Sequence, residues 1–364
     1  MNRSELTVKA LQLRYGDRRL KNYEVADELG LKAYEVSRLI DAAWKSGVVS
    51  IRINQEGLVS EDDFASAFNL NWVRFVETVD HYTEQKKILG EVAATEFERI
   101  VRAEPQTIAL GGGDSLHQMV RSLKSRSRAI TLAPLALICR SIYGRSFDGA
   151  FVTMEAASIS DPSQCRARVC ALPPLSPDNA EAAMQFTERL FHENSEVRAV
   201  FHEALHASAM FFGVSNYGAE PAIAEAHERV GIGKADISAM RAVGHLNFSF
   251  FDENGADVTT LLAKKKKIRI SSSPSDALYP VDSKDRHPFL AAVSLDAIKR
   301  AAENKKRDVI LVAAGEHKRH AISAALNAGV ANAAIIDLEN ARQIYREKLL
   351  RFQGVGRLDK PVGP

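Results

Sequence analysis

The chain has 364 residues, 46% of them hydrophobic and 26% charged, with a net charge of +2 at pH 7. That length suffices for two or three domains with a large core, and the composition is ordinary for a globular protein. No apolar run reaches the roughly 18–20 residues of a membrane span, and the first 19 residues lack the apolar centre of a secretory signal.

Cys139, Cys165 and Cys170 make no disulfide framework, and Cys165 and Cys170 have no histidine at zinc-finger spacing. They read as reduced thiols, and the expected location is cytoplasmic. The charge is unevenly spread: residues 1–53 carry ten Lys or Arg against seven Asp or Glu, so this segment is +3 and the rest is about neutral.

Residues 5–15 read as a short helix, with Leu6, Val8, Leu11 and Leu13 among polar positions. In residues 22–41, Asn22 is placed to cap a helix that buries Val25, Ala26 and Leu29. Gly30 stands where a sharp turn needs positive φ, and a second helix buries Val36, Leu39 and Ile40. A small residue at 26, the glycine turn and the apolar positions match a helix-turn-helix unit; a structural helical hairpin is the alternative. As a DNA reader, its second helix would offer Lys32, Tyr34, Glu35, Ser37 and Arg38 to the major groove. Glu35 would accept from a cytosine amino group or stabilise the helix N-terminus. Residues 47–54 read as a strand or wing touching backbone through Arg52. One such module carries little basic surface, which predicts a dimer or tetramer.

Residues 61–70 and 86–102 read as amphipathic helices linking this module to a larger domain. Residues 107–123, TIALGGGDSLHQMVRSL, read as strand, glycine turn and helix start. Glycines let a ligand approach the backbone, and the unpaired N–H groups of a helix start attract an anion. An ordinary turn with Asp114 or Ser115 as N-cap is the alternative. Strands are expected at 129–134, 168–173 and 207–214, a helix at 178–192, and an apolar strand at 245–251 leading to a turn at 251–255. Residues 268–271 read as a short strand, after a lysine run at 264–267 that reads as a solvated edge. Residues 308–313, 314–318, 320–326 and 333–336 form strand, loop, helix and strand, a βαβ unit that implies a parallel sheet. The loops GGGDS, GVSNYG and AGEHK each follow a strand, so they should converge on one rim, where such sheets bind ligands.

In this order and spacing, the motifs VSRLIDAAWKSGVVSI, GGGDSL, FFGVSNYG, AVGHLNFSFFDENG and VILVAAGEHKRHAISAALNAGVANAAIIDLENA resemble the SorC/DeoR family of bacterial transcriptional regulators, over residues 5–345. The resemblance implies an α/β chain: an N-terminal winged helix-turn-helix, then a Rossmann-like, mostly parallel sheet domain related to sugar-phosphate isomerases. The expected division is a DNA-binding domain at 1–58, a helical linker at 59–104, a sugar-phosphate-binding and oligomerisation domain at 105–350, and an irregular tail at 351–364. The implied function is operator binding controlled by a phosphorylated sugar or polyol, in a homotetramer, with no cofactor, metal or membrane. By the same resemblance the phosphate falls on Gly112, Gly113, Asp114 and Ser115, Lys318 supplies a point charge and Glu316 lines the pocket. Asn216, Asp252 and Asp337 fall on loops near the ligand.

Three positions depart from the family pattern: Ser115 where threonine is usual, His245 where an acid follows the glycine, and Leu338 where a glutamate is common. They leave the phosphate end intact and make the sugar end unusual, with His245 as a candidate contact. One rival is a sugar-phosphate isomerase or deaminase using Asp337, His245 and Glu316 as acid and base, with Lys318 also able to form a Schiff base. The other is a regulator of an unphosphorylated sugar.

Overall fold

Among the described residues of the first sixty, apolar spacing at three and four produces the helices α1 (Arg3–Tyr15), α2 (Asn22–Leu29) and α3 (Ala33–Lys45). The computed structural model describes residues 3–15, 20–45, 59–101, 106–124, 129–137, 148–161, 163–170, 180–216, 227–228, 231–265, 278–288 and 290–352. The chain divides into two units, Met1–Leu58 and Val59–Pro364.

In the first unit Ala10, Val25, Ala26, Val36 and Ile40 form a small core, with Leu11, Leu13, Leu20, Leu29 and Leu31 packed against it. Gly30 closes α2 at φ 64°, and Leu31 N–H donates to the Ala26 carbonyl at 2.9 Å. Asn22 is not the cap expected of it. Lys21 holds that position, its N–H donating to Glu24 at 2.6 Å, while the Asn22 amide donates to the Ser37 hydroxyl of α3 at 3.1 Å. The strand or wing at 47–54, Arg52 included, lies outside the described residues.

The second unit begins with α4 (Glu61–Ala67), β1 (Trp72–Val76) and α5 (Tyr82–Ile100). The segment 59–101 is therefore not a helical linker. β1 is an edge strand paired in parallel with the penultimate element of the chain, and Arg74 joins Glu61 and Glu96 at 3.0 and 2.9 Å. Its alternation was hidden because a charged Arg74 interrupts a five-residue run. There follow β2 (Gln106–Leu110), α6 (Asp114–Arg121), β3 (Ile130–Pro134), α7 (Gly149–Ile159), β4 (Cys165–Ala167), α8 (Ala180–Glu193), α9 (Ser195–Leu205), β5 (Ala209–Phe212) and β6 (Ser215–Asn216). Then come α10 (Lys234–Ala239), β7 (Ala242–Leu246), β8 (Ser249–Asp252), α11 (Val258–Lys265), α12 (Leu295–Glu303), β9 (Asp308–Ala313), α13 (Arg319–Asn327), β10 (Ala333–Asp337) and α14 (Leu338–Phe352).

Seven strands form one parallel sheet in the order β1-β10-β9-β5-β2-β3-β4. Helices cover both faces, as an all-parallel sheet requires. Successive strand residues supply the two layers alternately: Ile108 and Leu110 pack with α5, α6 and α7, whereas Ala109 joins the opposite core with α9, α12, α13 and α14. The fold is thus α/β with a parallel, doubly wound sheet.

Two strand expectations shift. Of the strand placed at 168–173, residues 168–170 follow β4 without strand structure and 171–173 lie outside the described residues; the ladder with β3 covers Cys165–Ala167, and its last bond is from the Arg168 N–H to the Leu132 carbonyl. The single strand at 245–251 is an antiparallel hairpin, β7 and β8, in a separate three-stranded sheet with β6. Asn247 and Phe248 both take positive φ, 46° and 70°, the backbone of a two-residue hairpin turn. An aromatic residue at such a position is a weak turn signal, and the Asn247 amide secures it by donating to the Leu135 and Val293 carbonyls at 3.0 and 2.9 Å. The short strand expected at 268–271, Cys139, Lys266, Lys267 and the tail from 353 lie outside the described residues. Lys264 and Lys265 are exposed at the end of α11, and Cys165 is a buried free thiol.

Candidate functional site

The sheet order contains one reversal. From β2 the chain moves outward through β3 to β4, then β5 returns to the other side of β2 and leads on to β9 and β10. Connections leaving β2 and β5 at their carboxyl ends therefore diverge, which opens a crevice there. The loops after β2, β5 and β9 stand on three neighbouring strands and share that rim.

The loop after β2 is pulled tight. Gly111 N–H donates to the Phe211 carbonyl at 2.7 Å, and a Cβ on Gly111 would lie 3.1 Å from the Phe212 Cβ. Gly113 caps α6 at φ 102°, with open space where a Cβ would stand. Neither Asp114 nor Ser115 is the N-cap, and no side chain closes this helix end. Ser115 is buried in the first turn, and Gly213 beyond β5 lies close to Leu116 of the same turn.

After β9, Gly315 takes φ 108° and starts a short 3-10 turn, Glu316–Lys318, which leads into α13. Lys318 is buried and Glu316 is exposed. Asp337 holds this loop. Its carboxylate accepts from the Gly315 N–H at 2.9 Å, the Asn340 N–H at 2.9 Å and the Asn340 amide at 2.7 Å, and that amide also donates to the Gly315 carbonyl. Asn340, whose role depends on contacts distant in sequence, completes this clasp across β9 and β10.

A fourth contributor was not read from the sequence. α5 brings Lys86 to Asp114, Nζ to Oδ2 2.7 Å, and the same ammonium lies 4.7 Å from the Tyr82 ring centroid. Tyr82 meets His317 edge to face at 4.8 Å, so the first turns of α5 touch the loops after β2 and β9. The His317 imidazole has a lowered pKa because of burial, then the charges of Lys318 and Lys86, which outweigh the opposing field of Asp337. Lys86, His317 and Lys318 thus share one electrostatic neighbourhood at the rim. No sequence pattern marks Lys86, which is one lysine on the polar side of an amphipathic helix.

Asn216 on β6 donates its amide to the His317 carbonyl and so lies at the rim. His245 pairs with Ser215 in the small sheet, is 5% exposed, and its Nε2 finds no hydrogen-bond partner among the described residues. Burial, then His227 and Lys318, push its pKa down to about 3, so the imidazole is neutral at pH 7. Asp252 is not joined to the rim loops by any described contact. Its Oδ1 accepts from Asn254 and Ala256, both at 2.9 Å, closing a turn whose Gly255 packs on Ala328.

In the first unit, Lys32, Tyr34 and Arg38 are exposed. Glu35 accepts from the Lys32 N–H at 2.8 Å, the reach-back bond of a capping box at the start of α3. The Ser37 hydroxyl donates to the Ala33 carbonyl and accepts from Asn22, which ties α2 to α3.

Residues 55–269 match the family model described as "Putative sugar-binding domain". Among solved structures, the chain is similar to the full-length sorbitol operon regulator SorC from Klebsiella pneumoniae, at 19% identity and TM-score 0.57, covering 93% of this chain and 98% of that one. It is also similar to a DeoR family transcriptional regulator from Listeria monocytogenes, at 19% identity and TM-score 0.56, over 78% and 97% of the two chains. A transcriptional regulator from Streptococcus pneumoniae TIGR4 matches at 16% identity and TM-score 0.58, over 79% and 95%. At these identities the likeness is one of fold. No curated protein matches the chain by sequence.

Proposed function

We propose that the chain, which belongs to this sugar-binding domain family, is a cytoplasmic transcriptional regulator whose second unit binds a phosphorylated sugar or polyol and whose first unit reads operator DNA. The observation that carries the reading is the N-terminus of α6, closed by no side chain, at the β2–β5 reversal, with Lys86 on the neighbouring helix and Lys318 on the neighbouring loop. The N–H groups at a helix start suit a phosphate group, and a nearby ammonium adds a charge-assisted bond. In this reading Gly112, Gly113, Asp114 and Ser115 surround the phosphate, Lys318 faces it, and Glu316 and Asn216 border the pocket.

His245 offers a neutral imidazole to the sugar end. Asp337 acts through the Gly315 loop, and Asp252 through its own turn. That commitment of Asp337 favours a sensor over an isomerase or deaminase, since a carboxylate already accepting three hydrogen bonds makes a poor general base. On the DNA side, Lys32 just before α3 and Tyr34 and Arg38 on it project toward groove and phosphates, while Glu35 and Ser37 shape the helix that presents them; Arg52 would add a backbone contact. The protein acts as a homo-oligomer, with a tetramer expected, and effector binding shifts the population of operator-competent assemblies.

The test is a thermal-shift panel of glucose 6-phosphate, fructose 1-phosphate, sorbitol 6-phosphate and the corresponding free sugars. Positive ligands are then added to operator fragments selected from random duplex DNA by the full chain. At least one phosphorylated compound should raise the melting temperature and change DNA retention, and Lys318→Ala should abolish both effects. A response confined to free sugars overturns the phosphate assignment. Failure to enrich any duplex overturns the DNA-reading assignment.

A further inference from the structure

The cradle proposed for the phosphate contains a carboxylate. Asp114 is the first residue of α6, and its side chain is 49% exposed beside the N–H groups that an incoming anion must reach. Unpaired, it would repel that anion. Lys86 stands against it at 2.7 Å, and its own side chain is held by the Tyr82 ring and is only 19% exposed. The other carboxylates nearby are Glu316, which is exposed, and Asp337, which is buried and satisfied by the Gly315 and Asn340 donors.

The backbone explains why Lys86 arrives there. Gly90 packs on Gln118, a Cβ at 90 meeting the Gln118 Cβ at 2.7 Å. Four residues earlier on each helix stand Lys86 and Asp114. One helical turn separates the two contacts on both helices, so α5 and α6 run in the same direction and the glycine crossing sets the distance of the ion pair.

We propose that Lys86, a residue of α5 outside the three rim loops, is a ligand-selecting cation of the effector site: paired with Asp114 when the cradle is empty, its ammonium bridges Asp114 and the phosphate monoester when the cradle fills. This rests on the reading of that cradle as a phosphate site. Lys86 has two effects of the same sign, masking a repelling carboxylate and donating to the anion. A neutral sugar gains from neither, so the ammonium selects for charge.

The experiment titrates the full chain with inorganic phosphate at constant ionic strength, by calorimetry, for wild type, Lys86→Gln, Asp114→Asn, the double variant and Ser115→Ala. Lys86→Gln should weaken phosphate binding about tenfold or more, the scale of one lost charge-assisted bond. Asp114→Asn should bind at least as tightly as wild type, and the double variant should recover much of the loss. Thermal melts of each variant show that it is folded.

If Lys86→Gln binds like wild type while Ser115→Ala weakens, the cradle stands and the role of Lys86 is overturned. Equal losses in both single variants, with no recovery in the double, mean that the pair only holds two helices together, which also overturns it. Absence of phosphate binding in wild type, with the sugar-phosphate panel flat, removes the cradle reading and this inference with it.

Discussion

A Cβ placed on Gly90 would lie 2.7 Å from both the Cβ and the carbonyl carbon of Gln118. The helices α5 and α6 therefore cross as closely as a glycine allows, and the rim inherits its geometry from that crossing. Gly90→Ala pushes the helices apart against a packed core, a change worth about 1–3 kcal/mol. Urea unfolding should show a lower midpoint at unchanged slope. Phosphate binding should weaken with it, because Lys86 and Asp114 lie one turn away. A variant as stable as wild type would show that α5 can slide without strain.

Asp337 supplies a second stability test. Removing its carboxylate orphans the Gly315 and Asn340 donors in a buried place. Asp337→Ala should destabilise the second unit by about 2–4 kcal/mol. A side chain reserved for a ligand would leave the stability of the ligand-free protein within about 0.5 kcal/mol, and that result would return Asp337 to the pocket.

His245 predicts a pH dependence. Its folded pKa is about 3, against roughly 6.5 in an unfolded chain. Above about pH 6.5 both states are neutral and its contribution to stability is complete. As the pH falls from there toward 3, the unfolded chain takes up a proton that the folded chain refuses. Stability then declines by up to about 1.4 kcal/mol per pH unit for this group. His287, whose pKa is also lowered by burial and by His227, adds to the slope. Unfolding midpoints between pH 7.5 and 4.5 should fall less steeply in His245→Gln than in wild type. Equal slopes would show that His245 takes up its proton in the folded state.

In the first unit, Ser37 and Arg38 should separate. Ser37→Ala removes the bond from Asn22 and should lower the unit's stability by about 0.5–1.5 kcal/mol. Arg38→Ala touches nothing in the core. It should weaken binding to the selected operator and lower the slope of log affinity against log salt by about 1 if it meets a phosphate. An unchanged affinity would move the contact surface away from α3.

The local features were legible because they are set by neighbours in the chain. Apolar spacing at three and four marked the helices around Val25, Val36 and Leu116. Gly30 announced a left-handed turn, and the run at 308–313 announced a buried parallel strand. From the strand-loop-helix order it followed that three loops would share a rim, and the motif order pointed to a family of sugar-binding regulators.

Other features depend on residues far apart in sequence. Trp72–Val76 is too short and too interrupted to read as a strand until β10 lies beside it. Asp337 looks like a ligand residue until Gly315 and Asn340 fill its oxygens. Lys86 looks like any solvent-facing lysine until the Gly90 crossing carries it to Asp114. A pattern along the chain reports which face of an element is buried; only packing decides which charge meets which, because that distance is set by two elements and their crossing together.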